Sequence, residues 1–310
     1  MPGFLTHYIA GQAVLNELAP DMRKKITSSE RLYNLGTQGP DIFFYYIPGI
    51  VRKRSRGVGS QMHQSDLGLF LMQMANAAKQ NTGLNRDIIF AYTSGFIMHY
   101  AVDTNAHPYV YASTYDPNAS KINNSAKHHK FETAIDILML KLVEGKKPSD
   151  HKQWELINAN KGHMKVAAIA ASNALLQIYS REIPPKNVYK AMRHMCAFTR
   201  FIQSQKGRRK KFIGTMENLT IRHQVFSSII HNQVLTDGVD YLNEQKKPWQ
   251  SPWDESKNIY TDSFADRFYA ATTEGLSMIQ TLYKYIYENL PAEALATALG
   301  NRSLKTGQES

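Results

Sequence analysis

Cysteine is almost absent from this chain of 310 residues, because Cys196 is the single example. One cysteine cannot form a disulfide within the chain, which favours a reducing compartment and leads us to expect a cytoplasmic location. The N-terminal stretch MPGFLTHY has neither a basic region nor a long apolar region, so we expect no signal peptide. Since no run of about 18 uncharged apolar residues occurs, no transmembrane helix is predicted.

Strand patterns are also scarce, because alternating apolar and polar residues hardly occur, whereas helical periodicity is widespread. No long linker rich in proline or glycine divides the chain. We therefore predict an all-α fold with one multi-helix domain over residues 1–300 and a flexible tail over 301–310. The predicted helices span 5–19, 26–34, 62–80, 86–106, 126–144, 151–180, 187–204, 216–236 and 262–288.

The formal net charge of +11 favours anionic partners such as phosphate esters, nucleic acid or an anionic membrane surface. Two basic clusters, Arg52–Arg56 and Lys206–Lys211, lie in predicted loops. Charge runs usually face water, so exposed loops are the first interpretation. The second interpretation is that the clusters bind phosphate or a membrane surface.

The apolar segment FIMHYAVDTNAHPYV carries three side chains that can bind metals, namely His99, Asp103 and His107. Their spacing of i, i+4 and i+8 places them on one face of a helix, which we expect Pro108 to end soon afterwards. The neighbouring residues on this face are apolar, so the face points inward. A buried carboxylate costs several kcal/mol unless it is paired or binds a metal.

Further candidates occur before and after this segment. His128 and Glu132 form another i, i+4 pair, although Glu132 in the first turn of a helix has an ordinary structural explanation. His63 begins a predicted helix, and Asp41 follows a Gly-Pro turn, where an aspartate commonly caps a helix. His7 lies in the first turn of the first predicted helix. Together the eight residues are rich in histidine and carboxylate and contain no thiolate, which is typical of hydrolytic Zn²⁺ sites with two or three ions.

The order of these residues resembles that of the zinc-dependent phospholipase C family and of the related zinc nucleases specific for single strands. The motifs that carry the resemblance lie within about residues 1–145. The resemblance implies an all-helical phosphodiester hydrolase. It also implies a first zinc held by Asp41, His63, His99 and Asp103, a second held by His107, His128 and Glu132, and a third held by His7 with Asp103 as the bridge.

The chain departs from the family at the N-terminus, where the family uses the amino group and carbonyl of a tryptophan for the third ion. Pro2 precedes His7 by five positions, as the N-terminal residue does in the nuclease branch. If Met1 is removed, we expect a free Pro2 to supply the same two ligands. If Met1 remains, only the first two sites are expected.

Three functions stay open at this stage: a phospholipase that cleaves phospholipid head groups, a nuclease or soluble phosphodiesterase, and a helical protein with a structural zinc cluster. Open water positions argue against the last, and the His128-x-x-x-Glu132 pair favours the phospholipase branch. Asp41 is the candidate catalytic residue that orients or deprotonates the attacking water. The aromatic residues at 43–46 line the mouth of the site or, more commonly for aromatics, belong to the core.

The remaining histidines share no register with a carboxylate, so we expect structural or surface roles for them. His129 points about 100° away from His128 on a helix and is left out of the ligand set. Trp249 and Trp253 lie in a loop with prolines, where packing is the first expectation. The histidines expected to be structural are His151, His163, His194, His223 and His231.

Overall fold

The computed structural model describes residues 3–45, 57–202, 235 and 237–310. Across these residues the regular structure is helical, and two isolated antiparallel bridges are the β-type pairings. Two 3₁₀ turns lie at Gly39–Phe43 and Pro148–Asp150. The all-α prediction is confirmed. The α-helices are α1 Phe4–Glu17, α2 Pro20–Thr27, α3 Glu30–Gly36, α4 Val58–Gln64, α5 Leu67–Gln80, α6 Gly83–Thr114, α7 Lys121–Glu144, α8 Gln153–Ile157, α9 Lys161–Tyr179, α10 Pro185–Ile202, α11 Phe264–Tyr287 and α12 Ala292–Leu299.

The central element is α6, which is buried on all sides from Ile88 to Thr104. A helix that is covered all round belongs in the middle of a core. It packs against α1, α2, α3, α5, α7, α9 and α11. Because the segment with the i, i+4, i+8 residues lies on this helix, its polar side chains are surrounded by other helices. Among the described residues, no helix is long and apolar enough to span a membrane.

Helix α6 does not end near Pro108, as the sequence led us to expect, but continues to Thr114. A proline inside a helix costs about 3 kcal/mol because it removes a hydrogen bond and crowds the preceding turn. Tyr109 and Val110, which follow it, are both buried in the core. Burying a large apolar side chain contributes about 1.5–3 kcal/mol, so these two residues together offset the proline. The continued helix keeps His107 in register with Asp103.

Two glycines allow the backbones of α3 and α6 to come into direct contact. A Cβ on Gly95 would lie 2.1 Å from the Tyr33 carbonyl oxygen, and one on Gly36 would lie 2.4 Å from that of Tyr92. No side chain larger than hydrogen fits at either position. The approach brings the residue after α3, Thr37, onto α6, where its carbonyl oxygen lies 3.1 Å from His99 Nδ1.

The start of α1 is held by a buried carboxylate from α7. Asp136 accepts hydrogen bonds from Leu5 N at 2.9 Å, Thr6 N at 2.8 Å and Thr6 Oγ1 at 2.6 Å. Gly3 precedes the helix and offers no side-chain cap. A carboxylate suits this position because it satisfies free amides and meets the positive end of the helix dipole. The contact fixes the first turn of α1, and with it His7.

The chain end, residues 301–310, is here named the C-terminal turn, and it is packed where the sequence suggested a loose tail. Leu304 is fully buried. The backbone of His63 accepts hydrogen bonds from Ser303 Oγ and from Lys305 N, each at 3.2 Å. A single apolar residue among polar neighbours carries little sequence signal, yet its burial and these backbone contacts fix the segment. The predicted helix at 216–236 lies outside the described residues, apart from residue 235, as do both basic clusters.

We expect Gly95→Ala to lower the free energy of unfolding by about 2 kcal/mol, because the added methyl group meets backbone atoms that cannot move independently. Urea denaturation measures this change. Gly162→Ala is the matched control, since its methyl group would meet a side-chain oxygen of Asn160 at 3.1 Å rather than backbone. Equal stability losses for the two variants would show that the helix contact is not close.

We expect Asp136→Ala to lower the free energy of unfolding by about 3 kcal/mol, because it leaves several buried donors without an acceptor. Asp116→Ala is the control, since the exposed Asp116 also accepts a backbone hydrogen bond, from Asn118 N at 2.9 Å. There the loss should stay below about 1 kcal/mol, because water replaces the lost acceptor. Thermal unfolding of both variants tests this, and a loss at position 136 no larger than that at 116 would contradict the anchoring role.

Candidate metal centre

All eight candidate ligands meet in one region of the fold, although they come from five separate elements. Seven of them are buried, and the eighth, His63, is partly exposed. Helix α6 contributes three residues, α7 contributes two, and each of three other elements contributes one. The contributions are His7 from α1, Asp41 from the first 3₁₀ turn, His63 from α4, His99, Asp103 and His107 from α6, and His128 and Glu132 from α7.

Asp103 lies at the middle of the cluster, with its two carboxylate oxygens facing different partners. Oδ2 is 3.1 Å from His99 Nε2 and 3.8 Å from His107 Nδ1, one turn to either side on α6. Oδ1 is 3.2 Å from His7 Nε2 on α1. A carboxylate with histidines at both oxygens has the geometry needed to bridge two cations.

A first ligand group combines Asp41, His63 and His99, whose ligand atoms all lie within 4.8 Å of one another. His63 Nε2 is 3.3 Å from Asp41 Oδ1 and 3.9 Å from Asp103 Oδ2. Gly39 makes this arrangement possible, since its φ is +48° and a Cβ there would lie 2.4 Å from the His99 ring. The 3₁₀ turn can therefore approach α6 closely enough to deliver Asp41.

A second ligand group combines His107, His128 and Glu132, again with all ligand atoms within 4.8 Å. Glu132 Oε1 is 2.8 Å from His128 Nε2 and 3.8 Å from His107 Nε2. A third group joins His7 to His99 and Asp103. The rings of His7 and His99 stack with centroids 4.2 Å apart, which aligns both imidazoles beside Asp103.

Backbone carbonyls fix the orientation of three histidines. A carbonyl oxygen can only accept, so each of these rings carries its proton on Nδ1 and presents the lone pair of Nε2 to the cluster. Such partners orient metal-binding histidines and raise their basicity. The pairs are His63 with Gly59 at 2.6 Å, His99 with Thr37 at 3.1 Å, and His107 with Leu304.

Several buried atoms of the cluster lack a hydrogen-bond partner among the described residues. Both oxygens of Asp103 and Nε2 of His99 and His107 belong to this set, as does Oδ1 of Asp41. The 3.2 Å contact of Asp103 with His7 does not have hydrogen-bond geometry. Buried polar atoms left in this state are costly. Divalent cations among them would satisfy the lone pairs, and the nitrogen and oxygen donors suit zinc.

Burial and charge shift the pKa values of the cluster, and the direction differs from one residue to the next. Burial opposes the ionisation of Asp103, but interactions with His107, His99 and His7 hold its pKa well below the usual range. Burial lowers the pKa of His107 and of His128 well below that of free histidine, which favours the neutral imidazole that binds a metal. Burial would also lower the pKa of His99, but the charge of Asp103 raises it.

Sequence reasoning missed three contributors to this region. His129 Nδ1 lies 3.2 Å from Glu132 Oε2, and burial lowers the pKa of His129 to about 4. The i, i+3 spacing of His129 and Glu132 already predicted that the two side chains lie on the same face of the helix. No sequence signal pointed to the carbonyl of Leu304 or to Asp136, because both contacts join residues far apart in the chain.

Two of the histidines expected to have structural roles contact residues outside the ligand groups. His151 Nε2 lies 3.0 Å from Glu144 Oε2, and His163 Nδ1 lies 2.9 Å from Ser29 Oγ. His194 lies on α10, while residues 223 and 231 are outside the described part of the chain. Trp249 stacks on the ring of Tyr260 with centroids 4.9 Å apart.

The aromatic run after Asp41 divides into different environments. Phe44 is 52% exposed, and its ring centroid is 5.3 Å from that of His63, so this side chain lies at the edge of the first ligand group. Tyr45 packs against Phe198 at 5.0 Å, and Phe43 is partly buried against the core. Residue 46 lies outside the described residues. Phe44 therefore lies at the edge of the first ligand group, whereas its two described neighbours pack against other residues.

Comparison with known proteins agrees with this geometry. The sequence model of the family described as zinc-dependent phospholipase C matches residues 6–183. The match covers more than half of the chain and includes all eight candidate ligands. Searches of curated proteins and of solved structures found no significant match. The chain belongs to the zinc-dependent phospholipase C family.

Proposed function

We propose that this protein is a zinc-dependent phosphodiester hydrolase that cleaves the head groups of phospholipids. The observation that carries the proposal is the position of Asp103 between His7 and His99, with His107 one turn away. A structural zinc site has four protein ligands that leave no coordination position open, and it needs no second ion nearby. Ligand groups that share a carboxylate are instead suited to several ions that together clamp a phosphate.

The ligand assignment is part of the proposal, and two or three zinc ions are expected. Bound at these groups, zinc would lower the pKa of water to about 7 and neutralise charge on a phosphate. The described residues that would hold the ions are Asp41, His63, His99 and Asp103 for the first, His107, His128 and Glu132 for the second, and His7 with Asp103 for the third. Pro2, the expected additional ligand of the third ion, lies outside the described residues.

Asp41 is proposed as the catalytic residue. It is buried in the 3₁₀ turn, its Oδ1 lies 3.3 Å from His63 Nε2, and the same oxygen has no hydrogen-bond partner among the described residues. A carboxylate held this way can orient the attacking water towards phosphorus and accept its proton. The half-exposed ring of Phe44 beside His63 offers an apolar contact at the mouth of the same group.

The nuclease remains the alternative, because an exposed aromatic ring can also stack on a base and cations can follow a nucleic-acid backbone. A soluble phosphodiester is a further candidate substrate. The Glu at position 132 of the His128 pair favours the phospholipase branch. The net charge of +11 suits peripheral contact with an anionic membrane surface. We also propose a cytoplasmic location, on the ground of the single cysteine.

The test is hydrolysis by zinc-loaded protein of three substrates: phosphatidylcholine, phosphatidylinositol and single-stranded DNA. We expect activity on phospholipid that a chelator abolishes and zinc restores. His99→Ala and Asp103→Ala should each reduce the rate by about 100-fold or more, since losing even a supporting partner of a metal ligand costs about 10–100-fold. His163→Ala is the matched control, because this histidine contacts Ser29 and belongs to none of the ligand groups found among the described residues.

Each other outcome selects another function. Hydrolysis of DNA without hydrolysis of phospholipid would establish the nuclease alternative. Full zinc content without hydrolysis of any of the three substrates, or of a generic phosphodiester, would favour the non-catalytic helical protein with a structural zinc cluster. A fall in rate for His163→Ala equal to that for His99→Ala would show that the losses do not report on the metal centre.

A further inference from the structure

The C-terminal turn reaches the metal centre although it lies more than 100 residues beyond the end of the family match at residue 183. Its Leu304 carbonyl accepts a hydrogen bond from His107 Nδ1, and the next backbone amide, that of Lys305, donates a hydrogen bond to the His63 carbonyl at 3.2 Å. The turn therefore contacts a residue of the first ligand group and a residue of the second. These contacts fix the backbone from which the Lys305 side chain extends.

The ammonium of Lys305 contacts two aromatic rings near the second ligand group. Its Nζ is 3.9 Å from the ring centroid of Trp253 and 5.8 Å from that of Tyr111. The ring of Tyr111 is in turn 4.8 Å from that of His128 and 5.6 Å from that of His107. Aromatic faces attract a cation and hold it in place. The Lys305 ammonium is thus held next to Tyr111, which itself contacts two candidate zinc ligands.

Among the described residues the charged neighbour that acts on the Lys305 ammonium is Lys121, another cation, and no carboxylate pairs with it. The side chain is also partly buried. Burying an ammonium is unfavourable unless a partner replaces the contact with water that it loses. Contact with an aromatic ring offsets the cost of burying the ammonium less than contact with an anion would. A bound anion between Lys305 and the cations of the centre would remove this deficit.

We propose that Lys305 is a cationic contact for an oxyanion bound at the metal centre, and that the C-terminal turn is therefore part of the substrate site. Phosphate esters are the ligand class, an assignment that rests on the proposed function. The three donors of an ammonium suit a non-bridging phosphate oxygen as a point charge. Because Lys305 contacts Tyr111, whose ring lies beside those of His107 and His128, the contact belongs with the second ligand group.

The structural alternative is that Lys305 only covers the face of Trp253. The two roles predict different consequences for zinc and for phosphate. A covering role allows zinc and phosphate to bind equally well once a long apolar chain replaces the lysine. The proposed role requires phosphate affinity to fall while zinc binding is kept, and it requires a substituted cation to restore that affinity.

The experiment is calorimetric titration of zinc-loaded protein with inorganic phosphate, alongside elemental analysis of each variant. We expect Lys305→Met to keep its zinc and to bind phosphate about 10-fold more weakly or worse, as for loss of a hydrogen bond to a charged group. Lys305→Arg should recover most of the affinity. Lys79→Met is the matched control, because Lys79 Nζ lies 4.1 Å from the ring centroid of Tyr285 and belongs to no ligand group.

Equal phosphate affinity for wild type and Lys305→Met would overturn the assignment and leave the proposed function standing. Loss of zinc together with phosphate would also overturn it, since the side chain would then support the ligands rather than the anion. If zinc-loaded wild type bound no phosphate, this inference would fail, and the proposed function would be judged by the hydrolysis assay alone. Should Lys305→Met not fold, Lys305→Gln removes the charge with a polar side chain and is judged by the same criteria.

Discussion

Burial of the Asp103 carboxylate among histidines is the constraint on which the rest of the structure depends. The side chain is fully buried at the middle of α6, and neither oxygen has a hydrogen-bond partner among the described residues. Burying a carboxylate costs several kcal/mol unless it is paired or binds a metal. The cost is removed if cations bind at both oxygens, and the histidines on either side are oriented for that. Stability and chemistry are therefore linked at one carboxylate.

The fold supplies the ligands by bringing short elements close to one long helix. Glycines at the crossing of α3 and α6 allow backbone contact, which delivers the Thr37 carbonyl to His99. Asp136 holds the first turn of α1 and so sets the position of His7. The C-terminal turn orients His107 from the opposite end of the chain. His99, His7 and His107 are thus oriented by residues that are not themselves candidate ligands, as precise metal sites require.

The sequence predicted the parts of this centre that are local. The i, i+4 register of His99 and Asp103 and of His128 and Glu132 follows from helix geometry and needs no tertiary information. The course of α6 through Pro108 was not predictable in this way, because the burial that offsets the proline depends on packing partners. The docking of residues 301–310 and the anchoring by Asp136 were also missed. These contacts join positions more than 100 residues apart, and a single sequence carries no pattern for such pairs.

The most direct measurement is anomalous diffraction at the zinc absorption edge, from crystals of protein purified without chelator. The account predicts two or three peaks, each within about 2.0–2.2 Å of nitrogen and oxygen ligands and none near sulfur. At least one of these peaks should lie next to a carboxylate oxygen of Asp103. The absence of any peak beside Asp103, or zinc bound only at surface positions, would contradict the account. The ligands expected around the peaks are His7, Asp41, His63, His99, Asp103, His107, His128 and Glu132.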